Sequence, residues 1–566
     1  MKFSIGKWAA CGLLAFGTLA LPSEALACGG FFCSQVQPVN QAAERIIFSK
    51  NNDGTVTAVI EIQYQGPSKN FSWLLPISTV PVGNQIAVAS NVAFQRLQQA
   101  TNPQYSLTTR VEGQCKTDNQ VLRGTANVAV SAPGADSTKG PGVNVEAMGI
   151  VGSFEWTVIS LEASLPDPAD AAVNWLTANG YDVPPGAKAL LGPYLADGLK
   201  LLALRLVKGA DTGSIRPLVL TYDATYPMIP IKLTAVAANE NMGVMAWVLG
   251  EAQAIPKNYN ALELNEARIN WFNASANYND VVTAAANDAG GQGFVTEYAQ
   301  PSSNLKEAIW SASEEANWQQ FRQSPGLLPD EIFNNVRNQY GGMDGFWDVV
   351  KKHVTVQAGT ADDFLRTCTF CGATFNTAEF LSALDAAVIQ PMRVVQQLIN
   401  AHPHITRFYS TLSADEMTVD PLFGFNAELP PVSNLHTAER IIECSPAYTV
   451  SDAPWRIELP KGGVLRGWPS NIGTWPTVLN DAPANQRILR QAEAGTGQVL
   501  EDNSSMILSS VNAYNETVPR ASSGDGGCSA QGGARSNGGR WALVGLLGLG
   551  IWMGRRFANA GSRSAH

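Results

Sequence analysis

Short runs of apolar and β-branched residues dominate the first half of the chain and predict strands. The first two predicted strands, 44–49 and 55–64, flank Asn52-Asp53-Gly54, and Asp-Gly between such runs is a strong hairpin signal. Similar runs follow in chain order at 71–77, 105–111, 145–161, 201–207, 218–222, 229–237 and 242–249. Residues 28–303 are therefore predicted to be a β-rich region, and the chain is predicted to have an α+β fold.

Apolar residues recur with helical spacing at two places within this region. The first predicted helix covers 90–99. The second begins after Asp167, which suits an N-cap, with Pro168 in the first turn. It is predicted to end at Asn179-Gly180, a common C-terminal cap pair.

The pattern changes near residue 304, where helical periodicity replaces the β-branched runs. Residues 304–400 are predicted to be a mostly helical section, within the size range of a subdomain. The helical segments are 305–322, 330–339, 346–353, 361–366 and 377–400. A second β region is predicted over 401–500, since strand signals return at 405–412, 440–444 and 455–459.

The first 27 residues have the pattern of a secretory signal peptide. Lys2 and Lys7 form a basic head, an apolar run follows, and Ala25-Leu26-Ala27 supplies a small-residue cleavage site. The run is shorter than the about 20 residues of a membrane span, so we expect cleavage after Ala27. The same site followed by Cys28 also resembles a loose lipoprotein box, so a lipid on Cys28 is the alternative.

The C-terminal end has a second membrane-directed pattern. Residues 501–540 are predicted to be a Gly- and Ser-rich linker, which contains Cys528. An apolar run over 541–554 follows, and Arg555-Arg556 come directly after it. This run is short for a permanent span, but its terminal position and paired Arg predict a transmembrane or sorting helix over 541–556.

Composition narrows the class of protein. The chain has 566 residues, of which 45% are hydrophobic and 15% are charged, so it can build a large core. It carries 38 basic and 48 acidic side chains, and the body between the signal and the tail is more acidic than the whole. Nucleic acid is therefore not an expected partner.

Six of the eight cysteines lie in the predicted exported body, and an even set in that compartment predicts disulfides. Six cysteines permit 15 pairings. Local spacing favours two of them, Cys28 with Cys33 and Cys368 with Cys371. The remaining pair is then Cys115 with Cys444. A redox or zinc role for the C-x-x-C at 368–371 is the alternative, although neither a thioredoxin-like context nor a second ligand pair is evident.

Motifs for catalysis or cofactor binding are absent from the sequence, and no cofactor is predicted. His402-Pro403-His404 is the only close histidine pair, and on an extended segment both rings would lie on one face. They are weak metal candidates, to which Asp415, Glu416 or Asp420 could add an oxygen ligand. The alternative is a polar turn where the long predicted helix ends.

Two hypotheses about function follow. We expect a non-enzymatic envelope protein that acts as a binding or scaffold module, with an unknown envelope or extracellular component as its partner. The alternative is an extracellular hydrolase with an unrecognised carboxylate or His site, for which Glu297 is a lone candidate acid. Two or more titratable groups converging in one pocket would favour the hydrolase, and an open Trp-lined groove would favour binding.

Five stretches together resemble one bacterial family, known as domain of unknown function 2330. They are Cys28-Gly-Gly-Phe-Phe-Cys33, Phe71-Ser-Trp-Leu-Leu-Pro-Ile77, Trp175-Leu-Thr-Ala-Asn-Gly-Tyr181, Thr296-Glu-Tyr298 and the segment 406–421. The resemblance implies an exported protein without an assigned activity, and it supplies no catalytic residues. The tail, with Cys528, a short apolar helix and terminal Arg residues, resembles myxosortase-type sorting tails of some Gram-negative bacteria. That resemblance implies processing near Cys528 and display at the outer membrane or cell surface, and the alternative is an unprocessed inner-membrane anchor.

Overall fold

The computed structural model describes residues 43–518, apart from 62–70, 117–142, 208–214, 324–326, 357–363 and shorter gaps at 163, 182, 184–185, 236–237, 369–370, 462 and 470–472. Several predicted features lie outside the described residues. They are the signal peptide 1–27, the pair Cys28 and Cys33, the linker beyond residue 518 with Cys528, and the helix 541–556.

Within the described residues, the strands are β1 (Ala43–Lys50), β2 (Thr55–Glu61), β3 (Ser72–Ile77), β4 (Ile86–Val88), β5 (Gln104–Glu112), β6 (Asn144–Val151), β7 (Phe154–Ser160), β8 (Lys200–Leu206), β9 (Leu218–Asp223), β10 (Met242–Gly250), β11 (Gln253–Pro256), β12 (Asn260–Leu264), β13 (Gly293–Pro301), β14 (His404–Leu412), β15 (Phe423–Asn426), β16 (Leu435–Glu443), β17 (Trp455–Leu459), β18 (Gly463–Gly467), β19 (Asn485–Arg490) and β20 (Gln498–Asp502).

The helices of the same residues are α1 (Asn91–Thr101), α2 (Pro168–Ala178), α3 (Ala187–Ala196), α4 (Ile231–Thr234), α5 (Tyr278–Asp288), α6 (Ala312–Gln323), α7 (Pro329–Tyr340), α8 (Phe346–His353), α9 (Phe364–Thr367), α10 (Thr377–Leu384), α11 (Gln390–Ala401) and α12 (Ser504–Thr517). A π-helical turn, Asp385–Ile389, joins α10 to α11.

One large mixed sheet organises the described chain. Its ten strands run in the order β20-β19-β12-β13-β14-β10-β1-β2-β9-β4. The pairs β1–β10 and β12–β13 are parallel, and the other pairs are antiparallel. Strands from both predicted β regions therefore share one sheet.

The central strands of this sheet are apolar on both faces. In β1, Ile46 and Phe48 pack into one hydrophobic cluster, while Ile47 between them packs into another on the opposite face. This follows from the two-residue period of a strand, and burial on both sides explains why β1 and β10 read as continuous apolar runs. Each fully buried large side chain, such as Trp247, contributes about 1.5–3 kcal/mol.

Different layers cover the two faces. The four-stranded sheet β3-β8-β7-β6 packs on the face that carries Phe48, and α2 and α3 cover the outer side of that smaller sheet. The helices α1 and α6 to α11 cover the opposite face, around Trp247. The predicted helical section 304–400 is thus one wall of the large sheet's core.

A third cluster lies at the β12 and β19 end of the large sheet. There α5 and α12 pack together with a second four-stranded sheet, β18-β17-β16-β5. In that sheet β5 and β16 are parallel and β16, β17 and β18 are antiparallel neighbours. This junction positions the candidate site.

The predicted α+β class is confirmed, and so is the first hairpin. The strands β1 and β2 pair antiparallel across a tight loop that ends at Gly54. Gly54 has φ 91°, a backbone conformation that glycine adopts without strain. Asp53 supports the turn, because its Oδ1 accepts hydrogen bonds from the Thr55 backbone N–H and hydroxyl at 2.9 and 2.7 Å.

The predicted strand at 229–237 is wrong, because this segment contains the short helix α4. Pro230 precedes the helix and cannot donate a hydrogen bond to a strand ladder. The Lys232 backbone N–H instead donates to Asp420 Oδ1 at 3.0 Å, which stabilises the first turn. Apolar composition alone did not reveal this distant cap.

Part of the predicted linker 501–540 is also wrong, since α12 occupies Ser504–Thr517. Ile507 and Val511 lie one turn apart on this helix and are both buried in the third cluster. The Gly- and Ser-rich composition on which the linker rested belongs to residues after this helix.

Across the described part of the chain, none of the helices has both the length and the apolar character that a membrane crossing requires.

Candidate functional site

A cleft opens beside the third cluster, and two cavities that share lining residues form it. One cavity of about 460 Å³ lies among β12, β13, β16 and β19, and a neighbouring cavity of about 540 Å³ lies among α1, α5 and β14. Tyr105, Tyr278 and Glu297 line both cavities. A volume of this size is typical of small-molecule sites.

Glu297 reaches the cleft because of an irregularity in its strand. The pairing of β13 with β14 shifts between Thr296 and Tyr298, so Glu297 is the extra residue of a β-bulge. Bulges bend a strand locally and redirect a side chain. The sequence Thr296-Glu297-Tyr298 therefore places a carboxylate in the interior of an otherwise apolar strand.

The buried Glu297 carboxylate has two partners, one through an ion pair and one through a hydrogen bond. Its Oε2 lies 2.6 Å from Arg407 Nε on the neighbouring β14, and its Oε1 accepts a hydrogen bond from the Tyr278 hydroxyl at 2.6 Å. Burial raises the pKa of Glu297, while the Arg407 charge and the Tyr278 hydrogen bond act in the opposite direction. Burial and the Glu297 charge hold the pKa of Tyr278 well above its ordinary value, so its hydroxyl stays a donor.

Arg407 also contacts the end of α1, which packs on the same face of the large sheet as α5. Its Nη1 donates to Asn102 Oδ1 at 2.8 Å and to Thr101 Oγ1 at 3.2 Å, both at the end of α1. Its guanidinium also lies 5.5 Å from the centre of the Trp247 ring. The ion pair of Glu297 and Arg407 therefore connects α5, the sheet and α1, and this arrangement is structural in character.

A second carboxylate in the cleft is held differently. Glu266 Oε1 lies 2.8 Å from His436 Nδ1. Glu266 Oε2 is buried and makes no hydrogen bond with any residue that the structure describes. Among the described residues, His436 Nε2 also has no hydrogen-bond partner, and the His436 ring is partly exposed.

The parallel pairing of β5 with β16 sets the position of His436. Tyr105 and His436 are direct partners in that register, and their rings stack at 4.5 Å with an angle of 11°. Burial, with the charges of Glu266 and Glu297, holds the pKa of Tyr105 well above its ordinary value. The uncharged Tyr105 ring thus fixes the plane of the His436 imidazole by stacking on it.

The rim of the cleft carries a paired set of charges. Glu263 lies 2.8 Å from Arg487 and 3.3 Å from Lys461. These groups are partly exposed, so they shape the entrance and add little stability.

The structure places the predicted histidine pair elsewhere. His402 is the C-cap of α11, with its ring nitrogens 2.9 Å from Leu398 O and 3.1 Å from Lys50 O. His404 begins β14 opposite Gly250. These contacts match the alternative of a polar helix end.

The three acidic residues considered with that pair also have partners or positions of their own. Asp420 accepts a hydrogen bond from the Tyr194 hydroxyl at 2.7 Å and pairs with Lys232. Glu416 accepts from the Ser413 backbone N–H, and Asp415 lies in the same turn. The described residues contain no group of three or more His, Cys, Asp or Glu side chains arranged to hold a metal ion.

Two of the three favoured cysteine pairs are disulfides in the structure, and the third lies outside the described residues. Cys115 and Cys444 are joined with a Cα separation of 4.8 Å, and Cys368 and Cys371 with 5.3 Å. The first bond closes the parallel pair β5–β16 just beyond its last register partners, Glu112 and Glu443. It therefore secures the strand pair that holds Tyr105 beside His436.

Sequence reasoning named Glu297 but missed Arg407, Glu266 and His436 as site residues. Their separations along the chain are large, and no local motif links them. Trp73, Trp156, Trp247 and Trp271 are all buried and line neither cavity of the cleft. Titratable groups, and not exposed Trp rings, therefore characterise the described cleft.

Comparisons with known proteins give one match. Neither the curated proteins nor the solved structures yielded a match to this chain. The model of a family described as an uncharacterized protein conserved in bacteria (DUF2330) matches residues 22–307. The matched residues include Glu266 and Glu297 and four of the five resembling stretches, whereas the stretch 406–421 lies beyond them. Since this match covers half of the chain, the protein belongs to the DUF2330 family of bacterial proteins.

Proposed function

We propose that the body of this protein binds a small polar ligand in the cleft beside Glu266 and His436. The observation that carries this proposal is the contact of the buried Glu266 carboxylate with the partly exposed His436 ring in a cavity of about 460 Å³. Glu266 Oε2 has no hydrogen-bond partner among the described residues, and a buried oxygen without a donor costs free energy. A ligand that contacts the exposed part of the His436 ring would lie next to this pair.

The charges of the cleft indicate the chemistry of this ligand. Arg407 neutralises Glu297, and Lys461 and Arg487 flank Glu263. Glu266 is left with a histidine as its partner, so the inner part of the cleft favours a group that donates hydrogen bonds. We therefore propose a ligand with hydroxyl or ammonium groups, such as a sugar or a polyamine.

The test is isothermal titration of the purified mature protein with glucose, galactose, glucosamine, putrescine and spermidine. We expect at least one to bind, and we expect Glu266→Ala and His436→Ala each to weaken it about tenfold or more. Glu516→Ala, on the exposed face of α12, is the control and should bind as the wild type does. Absence of binding, or binding by both cleft variants that is as tight as that of the wild type, would contradict the proposal.

Hydrolysis is the second candidate function, and the bond between Glu266 and His436 favours it. A carboxylate can orient an imidazole so that its free Nε2 removes a proton from water. Glu266 and His436 converge in one cleft, which is the arrangement expected of a hydrolase and not of a Trp-lined binding groove. Binding is nevertheless the function that we propose first, because no nucleophilic side chain lies against His436 among the described residues.

A panel of chromogenic esters, glycosides and phosphates tests this second function. We expect any genuine hydrolysis to fall by about 100-fold or more in His436→Ala, a typical loss for a general base. The same fall is not expected in His353→Ala, a matched variant on α8. Turnover that survives in His436→Ala would exclude this residue as the base.

We also propose that the body is exported and displayed at the cell surface through its C-terminal tail. The signal pattern at 1–27, the oxidised cysteine pairs and the apolar run before Arg555-Arg556 support this location. Cys528→Ala, tagged and followed by cell fractionation in the native host, should lose surface display and accumulate the uncleaved form. Normal surface display of the Cys528→Ala variant would contradict the sorting tail and favour a plain membrane anchor.

A further inference from the structure

One buried side chain of the cleft is not explained by the fold. Gln253 is the first residue of β11 and lines the same cavity as Glu266 and His436. Only 7% of this residue is exposed, yet its side-chain amide has no hydrogen-bond partner within the described residues. Buried amides in native proteins are nearly always paired, so this one needs a reason.

The strand geometry explains why the Gln253 side chain faces the cavity. Adjacent residues of a strand point to opposite sides. Ala254 packs into the apolar cluster around Phe48, and its backbone N–H donates to Thr406 Oγ1 at 2.9 Å. Gln253 therefore points away from that cluster. Its amide is not sealed from solvent as Glu266 Oε2 is, so a molecule in the cavity can reach it.

The register partner of Gln253 shows how an amide at this place serves the fold. Asn426 lies opposite Gln253 on β15. Its Nδ2 donates to Ala492 O at 2.7 Å and to Gly495 O at 2.8 Å, and its Oδ1 accepts from the Glu428 N–H at 2.8 Å. Asn426 thus holds the loop after β19, whereas the Gln253 amide holds no segment of the described chain.

The carboxylates of this cavity differ from Gln253, because each has a basic partner. The pairs are Glu263 with Arg487 and Lys461, Glu297 with Arg407, and Glu266 with His436. Thr296 lines the same cavity beside the bulge, and its hydroxyl bonds to no residue that the structure describes. Two neutral groups, the Gln253 amide and the Thr296 hydroxyl, are therefore open to a ligand, and each can both donate and accept.

We infer that the cleft selects a neutral sugar over a polyamine, and that the Gln253 amide makes this selection. The inference rests on the proposed function, since it concerns the ligand of the same cleft. An ammonium group only donates hydrogen bonds, so it would leave Gln253 Nε2 without an acceptor. Neighbouring sugar hydroxyls donate and accept, so they can bond both ends of the amide.

Two further properties of the cavity favour a sugar. A polyamine would bring new charges to carboxylates that are already paired, and burying an unpaired charge is costly. The apolar part of the lining, which includes Leu262, Leu489 and Val499, suits the C–H faces of a sugar ring.

The test titrates the purified protein with glucose, galactose, cellobiose and maltose, and separately with putrescine and spermidine. We expect at least one sugar to bind and neither polyamine to bind. Polyamine binding tighter than sugar binding, and weakened in Glu266→Ala, would overturn this inference and leave the proposed function in place. Absence of binding by both classes would overturn both.

Gln253→Glu tests the selection itself. The change keeps the shape of the side chain, removes the Nε2 donor and adds a negative charge. We expect affinity for the sugar to fall about tenfold or more and a polyamine to begin to bind. A purely structural role for Gln253 would not change the class of ligand, so unchanged preference in this variant overturns the inference.

Gln253→Leu separates binding from folding. Sugar affinity should fall about tenfold or more, while the melting temperature should not fall, because no hydrogen bond within the described chain is lost. Gln397→Leu, at an exposed position of α11, makes the same chemical change away from the cleft and should bind as the wild type does. Sugar affinity that is unchanged in Gln253→Leu but weakened in Glu266→Ala would overturn the role of Gln253 and leave the cleft as the binding site.

Discussion

Glu297 and Glu266 are two buried carboxylates that line the same cleft, and their partners differ. Glu297 lies between the permanent cation of Arg407 and the hydroxyl of Tyr278. Glu266 has one contact to His436, and its second oxygen has no donor within the described residues. The first carboxylate joins α5, the large sheet and α1, while the second lies beside the partly exposed His436 ring.

This difference separates two reasons for keeping a charge in a protein interior. A paired charge such as Glu297 cannot lose one partner without leaving the other buried and unpaired. An incompletely bonded group such as Glu266 Oε2 lowers stability, so its removal costs little. Stability measurements can therefore distinguish structural from functional carboxylates before any ligand is known.

The largest effect is expected for Arg407→Ala. This change leaves Glu297 buried without its cation and removes the donors to the end of α1, so the free energy of unfolding should fall by about 3–5 kcal/mol. The control is Arg110→Ala, whose ion pairs with Glu112 and Glu439 are exposed and should be worth less than about 1 kcal/mol. Urea denaturation of both variants gives the comparison, and equal losses would contradict it.

Glu44 extends the comparison to a carboxylate that forms no ion pair with any residue that the structure describes. It is buried on β1, where burial raises its pKa from 4.5 to about 7, against a hydrogen bond with Thr234. Below pH 4.5 the carboxyl is protonated in the folded and unfolded states and costs nothing. Between pH 4.5 and about 7 the unfolded state loses this proton while the folded state keeps it, so stability should fall by about 3 kcal/mol over that range and then level off.

Glu44→Gln should remove this pH dependence. Unfolding free energies at pH 4.5, 6 and 8 measure it, and the difference between wild type and variant should change only across that range. A constant difference at all three values would mean that Glu44 is ionised in the folded protein.

A smaller effect is expected for Tyr278→Phe. The variant keeps the ring and loses only the donor to Glu297 Oε1, a hydrogen bond to a charged group worth about 1.5–3 kcal/mol. Tyr514→Phe, on α12, makes the same chemical change away from the cleft and should stay within about 0.5 kcal/mol of wild type. Thermal unfolding of the two variants measures the change in melting temperature. Equal changes would show that the Tyr278 hydroxyl contributes no more to stability than the Tyr514 hydroxyl.

Much of the fold was predictable because period and composition act locally. The hairpin at Gly54, the cap at Asp167 and the helical section after residue 304 depend on neighbours a few positions away. The failures, at α4 and α12, depend on contacts from distant segments, namely Asp420 for α4 and the third cluster for α12. Local patterns contain no information about such partners.

The site was less predictable for the same reason. Glu297 meets Arg407 only because β13 pairs with β14 and a bulge turns its side chain. His436 meets Tyr105 and Glu266 only through the parallel pair β5–β16. By contrast, the Cys115–Cys444 pairing followed from setting aside the local pairs, and it was the one long-range contact near the cleft that the sequence suggested.

The most direct test of the account compares two isosteric changes, Glu297→Gln and Glu266→Gln, by urea denaturation at pH 7. Glu297→Gln should cost about 3–5 kcal/mol, because it leaves Arg407 buried without its counter-charge. Glu266→Gln should change stability by less than about 1 kcal/mol, since Gln keeps the contact to His436 Nδ1 and the lost oxygen has no partner. Equal and large losses in both variants would show that Glu266 is as structural as Glu297, and would contradict its assignment to ligand binding.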